Sequence, residues 1–187
     1  MGLFDIILDA ASRNITTSGS WGGGSRTPTL LGTPLGNLAE SFIDNVIRDK
    51  VSSPAIGSVV YCDLVLGYAE HSGIYIGNNH IVHLNGDGTI ECVTTKQFMN
   101  RLDGFGSAIS MYVSCNDGLP VGLPEAAKRA KSMIGQSREY NLIFDNCHQF
   151  TAGCLSGNFE NSCNFLVSLK KEVSKRMSGK EWRVCDL

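Results

Sequence analysis

An α+β domain is the fold class this sequence predicts, on three observations. Apolar residues recur with helical spacing over residues 3–12 and 37–50 near one end and 164–177 near the other. Between residues 58 and 113 the pattern changes to short apolar runs, several set apart by Gly and Asn clusters, which reads as an antiparallel meander sheet. Helical signals then return, so strands and helices are segregated along the chain.

Each element has its own signal. Over residues 3–12, Leu3, Ile7 and Ala10 form one stripe, and Phe4, Leu8 and Ala11 an adjoining one. This helix is expected to dock on the domain, and it is the segment that would meet a protein partner or a membrane surface. Residues 16–36, TTSGSWGGGSRTPTLLGTPLG, are too poor in apolar side chains for a regular element and read as linker, with Trp21, Leu30 and Leu31 to pin it. Over 37–50, Leu38, Phe42, Ile43, Val46 and Ile47 share a helical face, and Pro54 ends the region. Strands are expected over 58–66, 72–76, 80–84, 89–94 and 108–113, with turns at Gly77-Asn78-Asn79 and Gly86-Asp87-Gly88. Pro124 suits the first turn of a helix continuing over 126–134, and Gly135 suits its C-terminal cap. Asp145 and Asn146 precede a helix over 147–155, and the last helix, 164–177, buries Phe165, Leu166 and Leu169. The division that results is an N-terminal helical and Gly/Ser/Thr/Pro-rich region, 1–50, followed by the main unit, 51–187, in one globular domain.

The chain's 187 residues, 42% of them hydrophobic, suffice for one domain with a sizeable core. Net charge is −2 and no Lys/Arg block stands out. No surface tracks phosphate, so no nucleic-acid partner is expected. No run approaches the roughly 18 apolar residues of a membrane span. The N-terminus carries Asp5 and Asp9 and no basic flank, unlike a signal peptide, and Ile6 breaks the myristoylation pattern. Seven cysteines without a C-x-x-C pair imply reduced thiols and a cytoplasmic setting.

The chemistry lies in two boxes. His71 and His83 fall on a predicted hairpin, and Cys147 lies in Asp145-Asn146-Cys147-His148-Gln149-Phe150. Alternation puts His71, Gly73 and Tyr75 on one face of their strand. A two-residue loop would send His83 to the other face. A three-residue loop, Gly77-Asn78-Asn79, pairs Ile76 with His80 and sets His83 opposite Gly73, on the face of His71. Gly73 then leaves room beside the His83 ring. The two histidines become diagonal neighbours about 7–8 Å apart at Cα, too far to bond each other yet able to face one reaction centre.

Cys147 is expected to open a helix capped by Asp145 or Asn146. There a thiolate gains from the helix dipole, and the unsatisfied N–H donors can receive an oxyanion. If the helix packs on the meander, His71 would take the thiol proton and return it to the leaving group, with His83 orienting His71. Asn146, His148 and Tyr75 are further candidates for contact with substrate. Asp63 and Glu70 lie close enough in sequence to bond a histidine.

The stretch HSGIYIGNNHIVHL, with its histidines 12 positions apart, followed by NCHQF, resembles the lecithin:retinol acyltransferase-like family, a circularly permuted branch of the NlpC-type thiol hydrolases. The resemblance covers residues 57–155. It implies a permuted papain-like fold, a Cys147–His71–His83 triad with Cys147 as nucleophile and His71 as base, and an acyl-bearing lipid or amide substrate. Asn146 and Phe150 match the family's cysteine box. His148 and Gln149 stand where the family usually has Glu and His. Ser72 stands where lipid-acting relatives often have Trp.

The leading function is therefore a cysteine-dependent acyl-transfer enzyme, either a phospholipase/acyltransferase or an amide hydrolase, with a thioester on Cys147 and no cofactor. A non-catalytic interaction module that retains the fold is the alternative. A metal site drawn from His80, His83, Cys147 and His148 is not expected, because residues three apart on a strand face opposite sides.

Overall fold

The computed structural model describes residues 50–51, 53–64, 69–100, 110–139 and 146–185. The expected helices over 3–12 and 37–50, the linker between them and Asp145 lie outside the described residues. Seven strands and four helices occur among the described residues. They are β1 (Val59–Leu64), β2 (Ala69–Gly77), β3 (His80–Leu84), β4 (Ile90–Thr94), α1 (Thr95–Met99), β5 (Met111–Asn116), β6 (Leu119–Pro120), α2 (Pro124–Ser132), α3 (Cys147–Ser156), α4 (Leu166–Met177) and β7 (Glu181–Cys185). This is an α+β arrangement with an antiparallel sheet.

The sheet runs β4-β3-β2-β1-β5-β6, and β7 pairs with β5. Its first four strands form the meander. β2 begins at Ala69, earlier than its sequence signal, so His71 lies inside it and pairs with Cys62 of β1. α1, β6 and β7 go beyond the sequence expectations. α1 has a capping box, with Thr94 accepting from the Gln97 N–H while the Gln97 side chain accepts from the Thr94 N–H.

Period-two alternation divides the core. Val59, Tyr61, Ile74, Val82 and Leu84 join α2, α3 and α4 on one face. Val60, Cys62, Tyr75, Ile81 and Val93 meet Phe98 of α1 on the other. α3 lies across β2 and β3, which brings the start of this helix to the strand that carries His71.

The β2–β3 turn differs from the three-residue loop expected. Gly77 pairs with His80, so the loop is Asn78-Asn79, and both residues adopt left-handed backbone, φ 52° and 57°. Two residues alone would invert the parity of β3. The register shifts between Tyr75 and Gly77, which places Ile76 as an extra residue on β2. Beyond that bulge the pairs are Tyr75↔Ile81 and Ile74↔Val82, the same register that the longer loop would have set.

Candidate active site

Continuing that register brings Gly73 beside His83. The space there is filled by the close approach of the two strands. A Cβ on Gly73 would lie 2.7 Å from Ile81 Cγ2, 2.8 Å from the Val82 carbonyl oxygen and 3.1 Å from His83 Cβ. Glycine is needed for that approach, rather than to leave room for the imidazole.

His71 and His83 are buried and bonded to each other, His71 Nε2 to His83 Nδ1 at 2.9 Å. The expectation that they stand too far apart to bond is thus corrected. Diagonal positions lie within reach of long ring side chains, and these rings lean together edge to face with centroids 4.7 Å apart. Phe98 backs both, 5.0 Å from the His71 ring and 5.6 Å from that of His83.

Glu91 sits opposite His83 on β4, with its carboxylate 3.8 Å from His83 Nε2. The sequence reading missed it. Its signal was alternation alone, visible only once the β3–β4 register is known. The carboxylate favours the tautomer with the proton on His83 Nε2. In that tautomer His83 Nδ1 would accept from His71 Nε2–H, leaving His71 Nδ1 as the basic nitrogen of the pair.

Cys147 is the first residue of α3, and Asn146 is the N-cap. The Asn146 Oδ1 accepts from the N–H groups of His148 and Gln149 at 3.0 and 3.2 Å. Asn146 Nδ2 donates to the Asn164 carbonyl, tying the helix start to the loop before α4. The donors expected to await an oxyanion are therefore occupied by the cap at two positions.

The Cys147 side chain meets β2 at Glu70, the residue before His71. Its S–H points to the Glu70 carbonyl at 3.9 Å. The residue is only 4% exposed. Burial, assisted by the Glu70 carboxylate, pushes the thiol from 9.0 up to about 11 against the pull of the Ser72 donors. The resting sulfur is thus a neutral thiol.

The remaining sequence candidates divide. His148 is buried, with Nδ1 2.9 Å from Ser72 Oγ, and burial lowers it from 6.5 to about 4, so it is uncharged near neutrality. Its ring turns inward beneath α3, toward Ser72 of β2. Tyr75 is buried in the Phe98 core, and its hydroxyl accepts from the Asn79 N–H at 3.2 Å, which braces the turn. His80 is partly exposed at the turn and bonds the Asn78 carbonyl through Nδ1. Among the described residues no three His, Cys, Asp or Glu side chains converge in a metal-binding group. No described helix is long and apolar enough to cross a membrane.

The family model described as lecithin retinol acyltransferase matches residues 52–160, a span that holds both histidines, the cysteine and the elements from β1 to α3. No curated protein matches the chain.

Proposed function

The chain belongs to the lecithin retinol acyltransferase family, and from that premise we propose that it is a cysteine-dependent acyl-transfer enzyme with Cys147 as nucleophile, His71 as base and His83 as the residue that holds the base. One observation carries this reading. The helix-borne sulfur meets β2 at the Glu70 carbonyl, one residue before the His71 that makes a buried hydrogen bond of 2.9 Å with His83.

The steps follow from the hydrogen-bond pattern. The sulfur attacks the acyl carbonyl, and the S–C bond forms as the thiol proton passes to His71 Nδ1, the ring nitrogen nearer the main chain. His83, with Glu91 behind it, bears the positive charge gained by His71. The oxyanion faces the Cys147 N–H, which is the first donor of α3 once Asn146 has taken the next two. The bond to the leaving oxygen breaks as that oxygen takes the proton from His71. Water or an acceptor alcohol or amine then attacks the thioester, giving its proton to His71, and the sulfur leaves and is reprotonated. Because the resting thiol is neutral, its proton is removed during the attack.

The family supports an ester-linked acyl lipid as first substrate, with an amide as the alternative. Intact-mass measurement after incubation with phosphatidylcholine tests it. The expected result is a gain of one acyl group, mapped to Cys147 and absent in Cys147→Ala. No gain with phosphatidylcholine or with an acyl amide would refute the proposal.

The burial of the sulfur supports a second reading, an interaction module that retains the fold without turnover. Under that reading Cys147→Ala leaves partner capture intact, and no substrate leaves a mass on the chain.

A further inference from the structure

Ser72 follows His71 on β2 and pairs with Tyr61 of β1, whose side chain faces α2, α3 and α4. The Ser72 hydroxyl shares that face and meets two residues of α3. Ser72 Oγ lies 2.9 Å from His148 Nδ1 and 3.1 Å from Thr151 Oγ1. His148 and Thr151 stand three apart and so are neighbours on one side of the helix. Thr151 Oγ1 in turn donates to the Cys147 carbonyl at 2.7 Å. All three side chains are buried, where an unmade hydrogen bond is costly.

The protons can be counted. Thr151 has one, and a carbonyl can only accept, so that proton goes to Cys147 O. Toward Ser72 the Thr151 oxygen is therefore an acceptor. If the ring proton of His148 sat on Nε2, Ser72 would donate to Nδ1, and two hydroxyl oxygens would face each other at 3.1 Å with no proton between them. With the proton on Nδ1, His148 donates to Ser72 and Ser72 donates to Thr151. The three bonds then run one way, from His148 through Ser72 and Thr151 to the carbonyl of Cys147, and each polarises the next. A threonine bonded to the carbonyl four residues back is common in helices. Here the same oxygen also accepts from the strand residue next to His71, so the bond joins two elements. The cap of α3 is tied elsewhere, through Asn146 to the Asn164 carbonyl before α4.

We infer that Ser72, Thr151 and His148 are positioning residues for the Cys147–His71 pair, a buried hydrogen-bond clamp that fixes the first turn of α3 against the strand residue next to His71. The clamp acts through the main chain. It holds the carbonyl of Cys147, and with it the residue that carries the nucleophile, at a set place along β2. A misplacement of about 1 Å between reacting groups can cost about a hundredfold in rate. The inference rests on Cys147 and His71 acting together, and its test needs no acyl substrate.

The test is cross-linking of the full chain with dibromoacetone, whose three-carbon bridge joins an alkylated thiol to a ring nitrogen beside it. Peptide mapping gives the ratio of Cys147 linked to His71 over Cys147 alkylated once. The second step is intramolecular, so the ratio reports how the pair is placed and not how readily the thiol reacts. The native chain is expected to give the linked product. Thr151→Val and Ser72→Ala are each expected to lower the ratio about tenfold. Thr151→Ser, which keeps the hydroxyl, restores it, and His148→Leu, which leaves the bond between Ser72 and Thr151, lowers it less. Cys154→Ala opens a cavity in α3 outside the clamp and is expected to leave the ratio unchanged, at a temperature where every variant is folded by circular dichroism. A ratio unmoved in Thr151→Val and Ser72→Ala, or lowered as far by Cys154→Ala, would overturn the clamp. If one of the two clamp variants fails to fold, the other decides the matter. A native chain with no linked product would remove the pair and the clamp with it. A chain that shows the expected changes yet forms no thioester with an acyl substrate would retain the clamp and lose the proposed function.

Discussion

Acid should destabilise this protein through His148. The ring is buried beneath α3, and burial holds it from its ordinary 6.5 down to about 4. The folded state therefore binds fewer protons than the unfolded state between those values. The stability contributed by the neutral ring is complete above pH 6.5 and is lost as pH falls through about 4. At roughly 1.4 kcal/mol per pH unit the span corresponds to about 3 kcal/mol. That is a large share of the roughly 5–15 kcal/mol typical of a domain. The assay is urea unfolding at a series of pH values from about 7.5 to 4, comparing the native chain with His148→Gln. Carboxylates shared by both chains cancel in the difference. His148→Gln is expected to be the less stable near neutrality, because its bond to Ser72 is altered. The gap should then narrow by about 3 kcal/mol on the acid side. A gap that stays constant over the whole range would refute the argument, since it would mean that His148 titrates alike in both states.

Three further outcomes are expected. Gly73→Ala should destabilise the fold by about 1–3 kcal/mol in thermal or urea unfolding, because the new Cβ meets Val82 O and Ile81 Cγ2 in the packed hairpin. Glu91→Gln should lower kcat/KM about threefold with little change in stability, since a half-exposed carboxylate fixes a tautomer rather than holding up the core; an unchanged kcat/KM would remove Glu91 from the relay. Alkaline pH should unfold the chain through its buried thiols. Burial raises Cys147 to about 11 and Cys154 to about 12, so the stability of the neutral thiols is complete below 9.0 and lost as pH rises toward those values, and Cys154→Ala should flatten the alkaline limb.

The sequence was legible where a residue's role is local. β3 came out at 80–84 from alternation and turn residues alone. The cap of α3 was readable down to two residues, Asp145 or Asn146, and Asn146 is the one that caps the helix. What escaped was set by pairing at a distance. The Ile76 bulge is decided by which faces of β2 and β3 must be buried, and the expected loop reached the right register by a different route. The His71–His83 bond is not legible from Cα spacing, because it is made by the reach of two rings from diagonal positions. β7 was passed over although Glu181-Trp182-Arg183-Val184 alternates, since a strand so short is confirmed only by its partner β5. The Ser72–His148 contact joins residues 76 apart and carries no local signal at all.

The properties of the site follow from one feature of strand geometry. Adjacent residues on a strand point to opposite faces, so β2 presents His71 to the Phe98 side and Ser72 to the α3 side in consecutive positions. The sulfur of Cys147 meets the main chain of β2 at the Glu70 carbonyl, next to His71. The arrangement tolerates no change of parity. Were β3 to follow its two-residue turn without the Ile76 bulge, His83 would pair with Ile74 and face α3, and His71 would lose the partner that holds its Nε2. The bulge thus reconciles a tight Asn78-Asn79 turn with two histidines on one face.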